Sequence, residues 1–522
     1  MTSETKGNGG LFAMSFAAIT ATSFCFILRA LVIGHWGTEF ALSETQKGEL
    51  AGVGLWPFAI SIVLISLVID KVGFKLTYWF AAICHVVGLA LLFMANGYWM
   101  LYIGTFIMAL GNGAVEAAAN PLIATAYSHD KPKWLNRLHA GWPGGMILGG
   151  LLAMGLGYFA PEAGWRVTVG LMIIPVLVYT FLLLKQKFPV SERVAHGVSY
   201  KTMLGEAGFI SAFILAALIM LEIGRVFSLP TVAFMGMSLP AVALTIAAVA
   251  AVVYAFFAGS PGRPLYILLL VLMMPLAVTE LATDSWISEL MGPEMQKIGL
   301  AAGWVLIYTN LIVFVIRIFA GTLIEKFKPL GVLAMASGVA AVGIFLMAGA
   351  AGPAILAAAT LYGIGKSFFW GTSMAVASEQ FPKAGAIGIN MFGGAGMLAA
   401  GILGTVLLGA TQDASTREGL KRHDEAQGTA LTATYLTQEK VSIFGRYPAL
   451  DEAAVAAAPE ADKAVFTELA VTAKKDALKE MALLPVITLL VYLGLIFWFR
   501  SRGGYRPVVL GQETTEGKGK ND

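Results

Sequence analysis

The chain has 522 residues, of which 57% are hydrophobic and only 13% are charged, and its formal net charge is +3. Soluble globular proteins contain about 25% charged residues, so this chain has too few charges to cover a soluble surface. The composition therefore excludes a soluble enzyme, a nucleic-acid-binding protein and a disordered chain, and it indicates a membrane protein with many spans.

Apolar runs long enough to cross a bilayer follow one another along the chain. About 20 apolar residues span the hydrocarbon core, and a helix satisfies its own backbone there. We expect fourteen such helices, grouped as six, two and six. The first eight lie at 11–33, 49–69, 76–96, 98–127, 138–159, 165–185, 207–224 and 232–258. The last six lie at 264–288, 299–320, 330–350, 353–378, 384–410 and 481–499.

These spans predict an all-α membrane protein built from two six-helix bundles with two extra central helices. The segments are a polar tail at 1–10, a first bundle at 11–185, a linker with the inserted pair at 186–263, a second bundle at 264–499 and a tail at 500–522. We expect residues 501–522 to be disordered. The polar, alanine-rich segment 411–480 predicts one or two solvated helices outside the membrane.

Basic residues are concentrated on alternate loops, which sets the orientation of the chain. With the N-terminus inside, the short outside loops contain only Lys47, Arg166, Arg225 and Lys297. We therefore expect both termini to be cytoplasmic in a multi-pass protein, and we expect the membrane to be a bacterial inner membrane.

The two six-span halves also resemble each other at a nearly constant offset. SLVIDKVGFKL (66–76) matches GTLIEKFKPLG (321–331), GNGA (111–114) matches GIGK (363–366), and GGMILGG (144–150) matches AGMLAAG (395–401). Such self-similarity is typical of transporters built from repeated bundles.

The loop DKVGFK (70–75), between the second and third spans, resembles the signature loop of the major facilitator superfamily. The resemblance implies a transporter that works as a monomer by alternating access. It also implies a conformational gate at the inner face, containing Asp70, Gly73 and Lys75. We expect Arg317 and Glu325, at the inner end of the second half, to belong to the same gate.

A narrower resemblance covers about residues 20–160. Phe40-Ala41-Leu42-Ser43, VEAAANP (115–121) and Leu135-Asn136 are similar to the fucose/hexose–proton symporter branch. In that branch the corresponding glutamate takes part in proton coupling, which implies this role for Glu116 and a monosaccharide as solute. Arg29 stands near the place where the branch has an aspartate.

Five charged residues lie deep in predicted spans, where a charge costs about 2.5–3.5 kcal/mol. They are Arg29, Glu116, Glu280, Asp284 and Lys366. Helical spacing adds polar neighbours on the same faces, and these positions predict a solute cavity between the bundles. The expected solute-binding residues are Arg29, Asn112, Asn120, Glu280, Asp284, Tyr362, Lys366, Trp370 and Asn390. The alternative is that Arg29–Glu116 or Asp284–Lys366 are ion pairs that only hold helices together.

The sequence therefore predicts a secondary transporter of a monosaccharide or sugar-like solute, coupled to protons. The cations Arg29 and Lys366 leave an organic anion open as the solute, such as a sugar acid or another carboxylate. The segment 411–480 leaves a transport-inactive sensor open. HExxH, GxSxG and P-loop motifs are absent from the sequence. We expect no enzyme activity, cofactor, metal or nucleic acid; the expected partners are the solute, protons and lipid.

Overall fold

A computed structural model describes residues 3–42, 44–226, 239–284, 287, 291, 295–297, 299, 303–350, 352–442 and 445–511. Within this part, twelve helices are long and apolar enough to cross a membrane, so the chain is a multi-pass membrane protein. Fourteen spans were predicted. The count differs because two predicted spans lie in one helix, 304–349, and another is divided into 354–366 and 369–380. The start of the predicted span 232–258 and the predicted tail 512–522 lie outside the described residues.

The first half consists of helices throughout its described part. They are α1 Ser3–Glu39, α2 Glu44–Gly52, α3 Trp56–Val72, α4 Phe74–Phe93, α5 Tyr98–Ala126, α6 Lys131–His139, α7 Gly141–Phe159, α8 Gly164–Gly170 and α9 Ile173–Leu184. A short α10, Glu192–Ala195, lies in the linker, and the inserted pair is α11 Tyr200–Val226 and α12 Leu239–Ala258. The inserted helices pack against each other, and α11 also packs against both halves.

The second half begins with α13 Pro264–Ala277, which continues into a π-helical turn at Val278–Ala282. The next helices are α14 Trp304–Gly349, α15 Ala354–Lys366, α16 Phe369–Gln380 and α17 Gly385–Ala399. A second π-helical turn, Ala400–Gly404, leads into α18 Thr405–Gln427, and α21 Glu460–Met481 and α22 Leu483–Arg500 end the half. The two π-helical turns are in contact with each other.

Close helix packing in the first half depends on glycine. A side chain at Gly145 on α7 would collide with the Thr20 carbonyl and the Ser23 hydroxyl of α1. Small residues at such crossings let helix backbones approach closely in a membrane. The outer surface shows large apolar side chains instead, such as Phe159 and Phe256, as expected for contact with lipid.

The two halves turn in the same way at matched positions. Gly73 separates α3 from α4 with φ 86° and ψ 153°. The corresponding residue in the second half is Lys328, which interrupts α14 with φ 62° and ψ 158°. This backbone region is normally restricted to glycine. The shared geometry supports the internal repeat and shows that the second half makes its turn at a conformational cost.

Replacing Lys328 with glycine is therefore expected to raise the free energy of unfolding by about 1 kcal/mol. The conformation costs a non-glycine residue about 1–3 kcal/mol, and the extra freedom of glycine in the unfolded chain offsets part of the gain. Thermal unfolding in detergent measures the effect. Lys326→Gly is the matched control, since a glycine inside a helix costs about 1 kcal/mol. Equal changes in the free energy of unfolding for both variants would show that the backbone at Lys328 is not strained.

The segment 411–480 contains more structure than the predicted one or two helices. Its helices are the C-terminal part of α18, α19 Leu431–Tyr435, α20 Glu452–Ala456 and α21. Two strands, β1 Gln438–Ser442 and β2 Gly445–Ala449, pair in antiparallel fashion, with Gln438 opposite Ala449. A small core of its own holds it together, formed by Leu420, Leu431, Tyr435, Ala458 and Phe466. Five-residue strands leave too weak a pattern in the sequence to be predicted.

The start of the C-terminal tail is ordered, which corrects the prediction of disorder for residues 501–511. The Val508 amide donates to the Glu379 carbonyl over 2.9 Å, and the Tyr505 hydroxyl lies 2.6 Å from Glu379 Oε2. Burial and the neighbouring Glu379 raise the pKa of the Tyr505 phenol well above its usual value, so the hydroxyl remains a donor. The tail is thereby attached to the end of α16.

Candidate functional site

One end of the molecule, which we call the basic end, joins the two halves directly. Asn136 Nδ2 of α6 donates to Thr372 Oγ1 of α16 over 3.0 Å. Arg137 Nε donates to the Ile318 carbonyl over 3.1 Å. Lys131 Nζ lies 3.4 Å from the Ser378 carbonyl. These contacts close the interface between the halves at the end where the lysine- and arginine-rich loops lie.

All the predicted gate residues except Arg317 lie at this end, but their contacts differ from those expected. Asp70 forms an ion pair with Arg193 of the linker at 2.6 Å and accepts a hydrogen bond from Ser191 at 2.7 Å. Lys75 and Glu325 are exposed. Asp70 therefore attaches α3 to the linker, and Gly73 provides the turn into α4.

A cavity lies deeper, between the two halves, and its empty space is about 320 Å³ when the part open to solvent is counted. Its walls combine charged, aromatic and apolar side chains from both bundles. The lining residues are Phe58, Glu116, His139, Trp142, Glu280, Leu281, Arg317, Trp370 and Met397. Glu116, Glu280 and Trp370, which were predicted for proton coupling or solute binding, thus meet at one cavity, together with the predicted gate residue Arg317.

A buried ion pair forms the second-half wall of the cavity. Glu280 lies in the π-helical turn after α13, and its Oε1 accepts from Arg317 Nη2 over 2.8 Å. Arg317 also donates to the carbonyls of Ser367 and His139, at 2.8 and 3.0 Å. We expected Arg317 to belong to a gate together with Glu325. This expectation is wrong, because Arg317 pairs with Glu280 instead. Glu280 Oε2 is buried without a hydrogen-bond partner among the described residues.

A second ion pair lies beside the first. Lys366 Nζ is 2.5 Å from Asp284 Oδ2, and the Tyr362 hydroxyl donates to Asp284 Oδ1 over 2.9 Å. The same hydroxyl is 3.0 Å from the Glu280 carbonyl. The alternative interpretation of Asp284–Lys366 as a helix-joining pair therefore agrees with the geometry. The cluster supports the turn that holds Glu280.

Glu116 forms the first-half wall and has a different environment. It is 3% exposed, and no ion pair joins it to a cation in the part of the chain that the structure describes. Asn120 Nδ2 donates to Glu116 Oε2 over 2.8 Å. Asn120 Oδ1 in turn lies 2.9 Å from His139 Nε2.

Of the other predicted residues, Arg29, Asn112 and Asn390 also do not line the cavity. Arg29 is buried over Gly54 and its guanidinium lies 5.2 Å from the Phe26 ring, so the Arg29–Glu116 pair does not form. Asn112 Oδ1 bonds to His85 within the first half at 2.9 Å. Asn390 Nδ2 donates to the Ala117 carbonyl at 2.9 Å and joins the two halves.

Sequence reasoning missed His139, Trp142 and Phe58 as cavity residues. His139 was not among the expected site residues, although a histidine near an apolar span is itself a signal of a polar chamber. Trp142 follows three residues later, and its ring stacks on Phe58 with 6.3 Å between ring centroids.

The sequence matches known proteins over part of its length. A sequence profile of the Major Facilitator Superfamily matches residues 11–288. The cis,cis-muconate transport protein of Acinetobacter baylyi is 28% identical over 170 residues, which are 32% of this chain and 40% of that protein. The match therefore spans about two fifths of the length of that relative.

Solved structures share the fold over nearly the whole chain. The E. coli fucose:proton symporter FucP is 15% identical, with a TM-score of 0.54, and the match covers 92% of this chain and 98% of that one. The proton:xylose symporter XylE, bound to 6-bromo-6-deoxy-D-glucose, is 15% identical with a TM-score of 0.59 and coverage of 94% and 96%.

Proposed function

We propose that this chain, which belongs to the major facilitator superfamily, moves a small polyhydroxy solute across the membrane by alternating access, together with protons. The family consists of transporters, so the prediction that the protein is not an enzyme is confirmed. The observation that carries the proposal is the cavity whose charged and aromatic walls come from both halves. Its space for a water-sized molecule is only about 20 Å³, so the halves must move apart before a solute can enter.

The chemistry of the walls favours a neutral solute with several hydroxyls. The rings of Phe58, Trp142 and Trp370 offer faces on which the apolar side of a sugar can stack. Glu280 Oε2 is buried without a hydrogen-bond partner among the described residues, and a solute hydroxyl can donate to it. We therefore place a monosaccharide or sugar-like compound in the cavity.

The charge balance argues in the same direction. Arg317 uses its donors on Glu280 and on two carbonyls, so Glu280 already neutralises it. Glu116 then contributes a further negative charge when it is ionised. A cavity with this balance attracts an anion less well than a neutral solute.

An organic anion is the second candidate, because the relative of 28% identity is a muconate transport protein and because Arg317 lines the cavity. Displacement of Glu280 from Arg317 would free Nη2, a charged hydrogen-bond donor that suits a carboxylate. The two candidates differ in the charge of the solute and are separable by one experiment.

We expect purified protein to be stabilised against heat by a neutral hexose more than by its uronic acid or by cis,cis-muconate. A ligand at one hundred times its Kd adds about 2.7 kcal/mol of stability. Trp370→Ala should remove the shift, and Trp99→Ala, at an exposed tryptophan, should preserve it. A shift with the carboxylates alone supports the second candidate. Failure of all these solutes to exchange across proteoliposomes would contradict the proposed solute classes.

The proposal assigns the proton to Glu116. Its carboxylate lies in the cavity wall, it is nearly inaccessible to solvent, and it has no ion-pair partner among the described residues. A carboxylate in such a place can bind and release a proton as the cavity opens to either side. Both termini are proposed to be cytoplasmic, on the distribution of basic loops.

A further inference from the structure

His139 is a buried titratable side chain on the cavity wall that the proposed function does not yet use. It is 1% exposed, and its Nε2 bonds to Asn120. None of the described residues forms a hydrogen bond with its Nδ1. Because His139 lines the cavity, Nδ1 is the ring atom left to meet a solute or a water molecule.

The series Glu116–Asn120–His139 fixes the direction of each hydrogen bond when Glu116 is ionised. A carboxylate only accepts, so the amide of Asn120 must present its NH₂ group to Glu116. Its carbonyl oxygen then faces His139 and must accept. The proton of the neutral ring therefore lies on Nε2, and Nδ1 is a hydrogen-bond acceptor.

Protonation of Glu116 allows the opposite direction. A carboxylic acid donates, so a half-turn of the Asn120 amide lets its oxygen accept from Glu116. The NH₂ group of Asn120 then faces His139 Nε2, which must accept. The proton of the neutral ring now lies on Nδ1, and this atom becomes a donor toward the cavity.

We propose that His139 is a solute-recognition residue whose Nδ1 accepts a hydrogen bond when Glu116 is ionised and donates one when Glu116 is protonated. The inference rests on the proposed role of Glu116 as proton carrier. One proton binds to Glu116, one leaves Nε2 and one reaches Nδ1 through water in the cavity. The net uptake is a single proton, and the ring is neutral in both states.

The charged groups around the ring are compatible with a neutral histidine. Glu116 faces it from α5 through Asn120, and Arg317 of α14 donates to its backbone carbonyl. Glu280 reaches it only through Arg317. Arg137, on the helix of His139, donates to the Ile318 carbonyl at the basic end, and no titratable group of α1 or α16 bonds to the ring among the described residues.

The switch bears on the choice of solute. A sugar hydroxyl both donates and accepts, so it can bond to Nδ1 in either state. A carboxylate only accepts, so it can bond to Nδ1 only when Glu116 is protonated. A solute with hydroxyls could therefore bind to His139 with or without a proton on Glu116. A carboxylate solute could bind there only when Glu116 carries the proton.

The test is ¹⁵N NMR of the histidine-labelled full chain in lipid bilayers across a pH series, with the His139 signals identified by their loss in His139→Gln. We expect the proton to lie on Nε2 at high pH and on Nδ1 at low pH, with one nitrogen protonated throughout. Glu116→Gln should remove the pH dependence, and Asn120→Leu should remove it with Glu116 intact. Asn112→Leu, which removes the amide that bonds to His85, should preserve it.

A ring that keeps its proton on Nε2 at every pH would overturn the inference. So would a ring that gains a second proton, or a shift that persists in Asn120→Leu. These outcomes are distinct from failure of the proposed function. Suppose that Glu116→Gln loses proton-driven accumulation but the ring proton of His139 stays on one nitrogen. The proposed function then stands, and only the role of His139 is refuted.

Discussion

Replacing Glu116 with glutamine should abolish proton-driven accumulation of solute and leave exchange intact. Glutamine keeps the size and the hydrogen bond to Asn120 but cannot bind or release a proton. With no proton carried, a pH gradient can no longer drive the solute, and its concentration inside vesicles should only equalise with that outside. Exchange of labelled for unlabelled solute needs no net proton movement, so it should continue.

Proteoliposomes with an imposed pH gradient provide the measurement, using a solute identified by the thermal-shift comparison. Glu222→Gln is the matched control, because Glu222 is also a buried carboxylate but lies on α11 in the inserted pair. The control should accumulate solute as the unmodified protein does. Normal accumulation by Glu116→Gln, or equal losses in both variants, would refute the assignment of the proton to Glu116.

Removing one partner of the Arg317–Glu280 pair should strongly destabilise the protein. Both side chains are at most 7% exposed, and Glu280→Ala would leave the guanidinium buried without its counter-ion. Breaking a buried pair from one side costs about 3–5 kcal/mol. The double variant Glu280→Met with Arg317→Met leaves no stranded charge, so it should be clearly more stable than either single variant.

Thermal unfolding in detergent compares the single variants at Glu280 and at Arg317 with the double variant. Asp476→Ala removes one side of a solvent-exposed pair with Lys479 and should change stability by less than about 1 kcal/mol. All variants at Glu280 or Arg317 should lose transport, since both residues line the cavity. Single variants as stable as the unmodified protein would show that the pair is open to solvent.

Three of the residues expected from the sequence, Glu116, Glu280 and Trp370, line the cavity, but most of the other expected side chains do not. Asn112, Glu116 and Asn120 lie four residues apart, and each step of four turns about 40° around a helix. Asn112 and Asn120 are therefore displaced to opposite sides of Glu116. Asn112 faces His85 inside the first bundle, whereas Asn120 remains beside the cavity. The neighbour that each side faces depends on helix packing, which periodicity does not determine.

Arg317 was misplaced for a related reason. The predicted span ended at 320, which put Arg317 at the inner end beside Glu325. In the structure α14 stays helical as far as Lys328, so Arg317 lies about three turns before the break. Because the predicted helix ended a few residues too early, Arg317 was assigned to a gate and not to the cavity wall. Arg29 gives the opposite example. It is charged and buried in a predicted span, yet it does not lie at the cavity.

If the protein is a transporter, the cavity between its halves opens in turn to each side of the membrane. Spin labels at two pairs of exposed positions test it, with Cys25 and Cys84 replaced. Lys75 and Glu325 report on the basic end, and Met94 and Ala354 report on the opposite end. We predict two distances in each pair, and any change of pH that favours the longer distance in one pair should favour the shorter distance in the other. A single, invariant distance in both pairs at every pH would contradict the account.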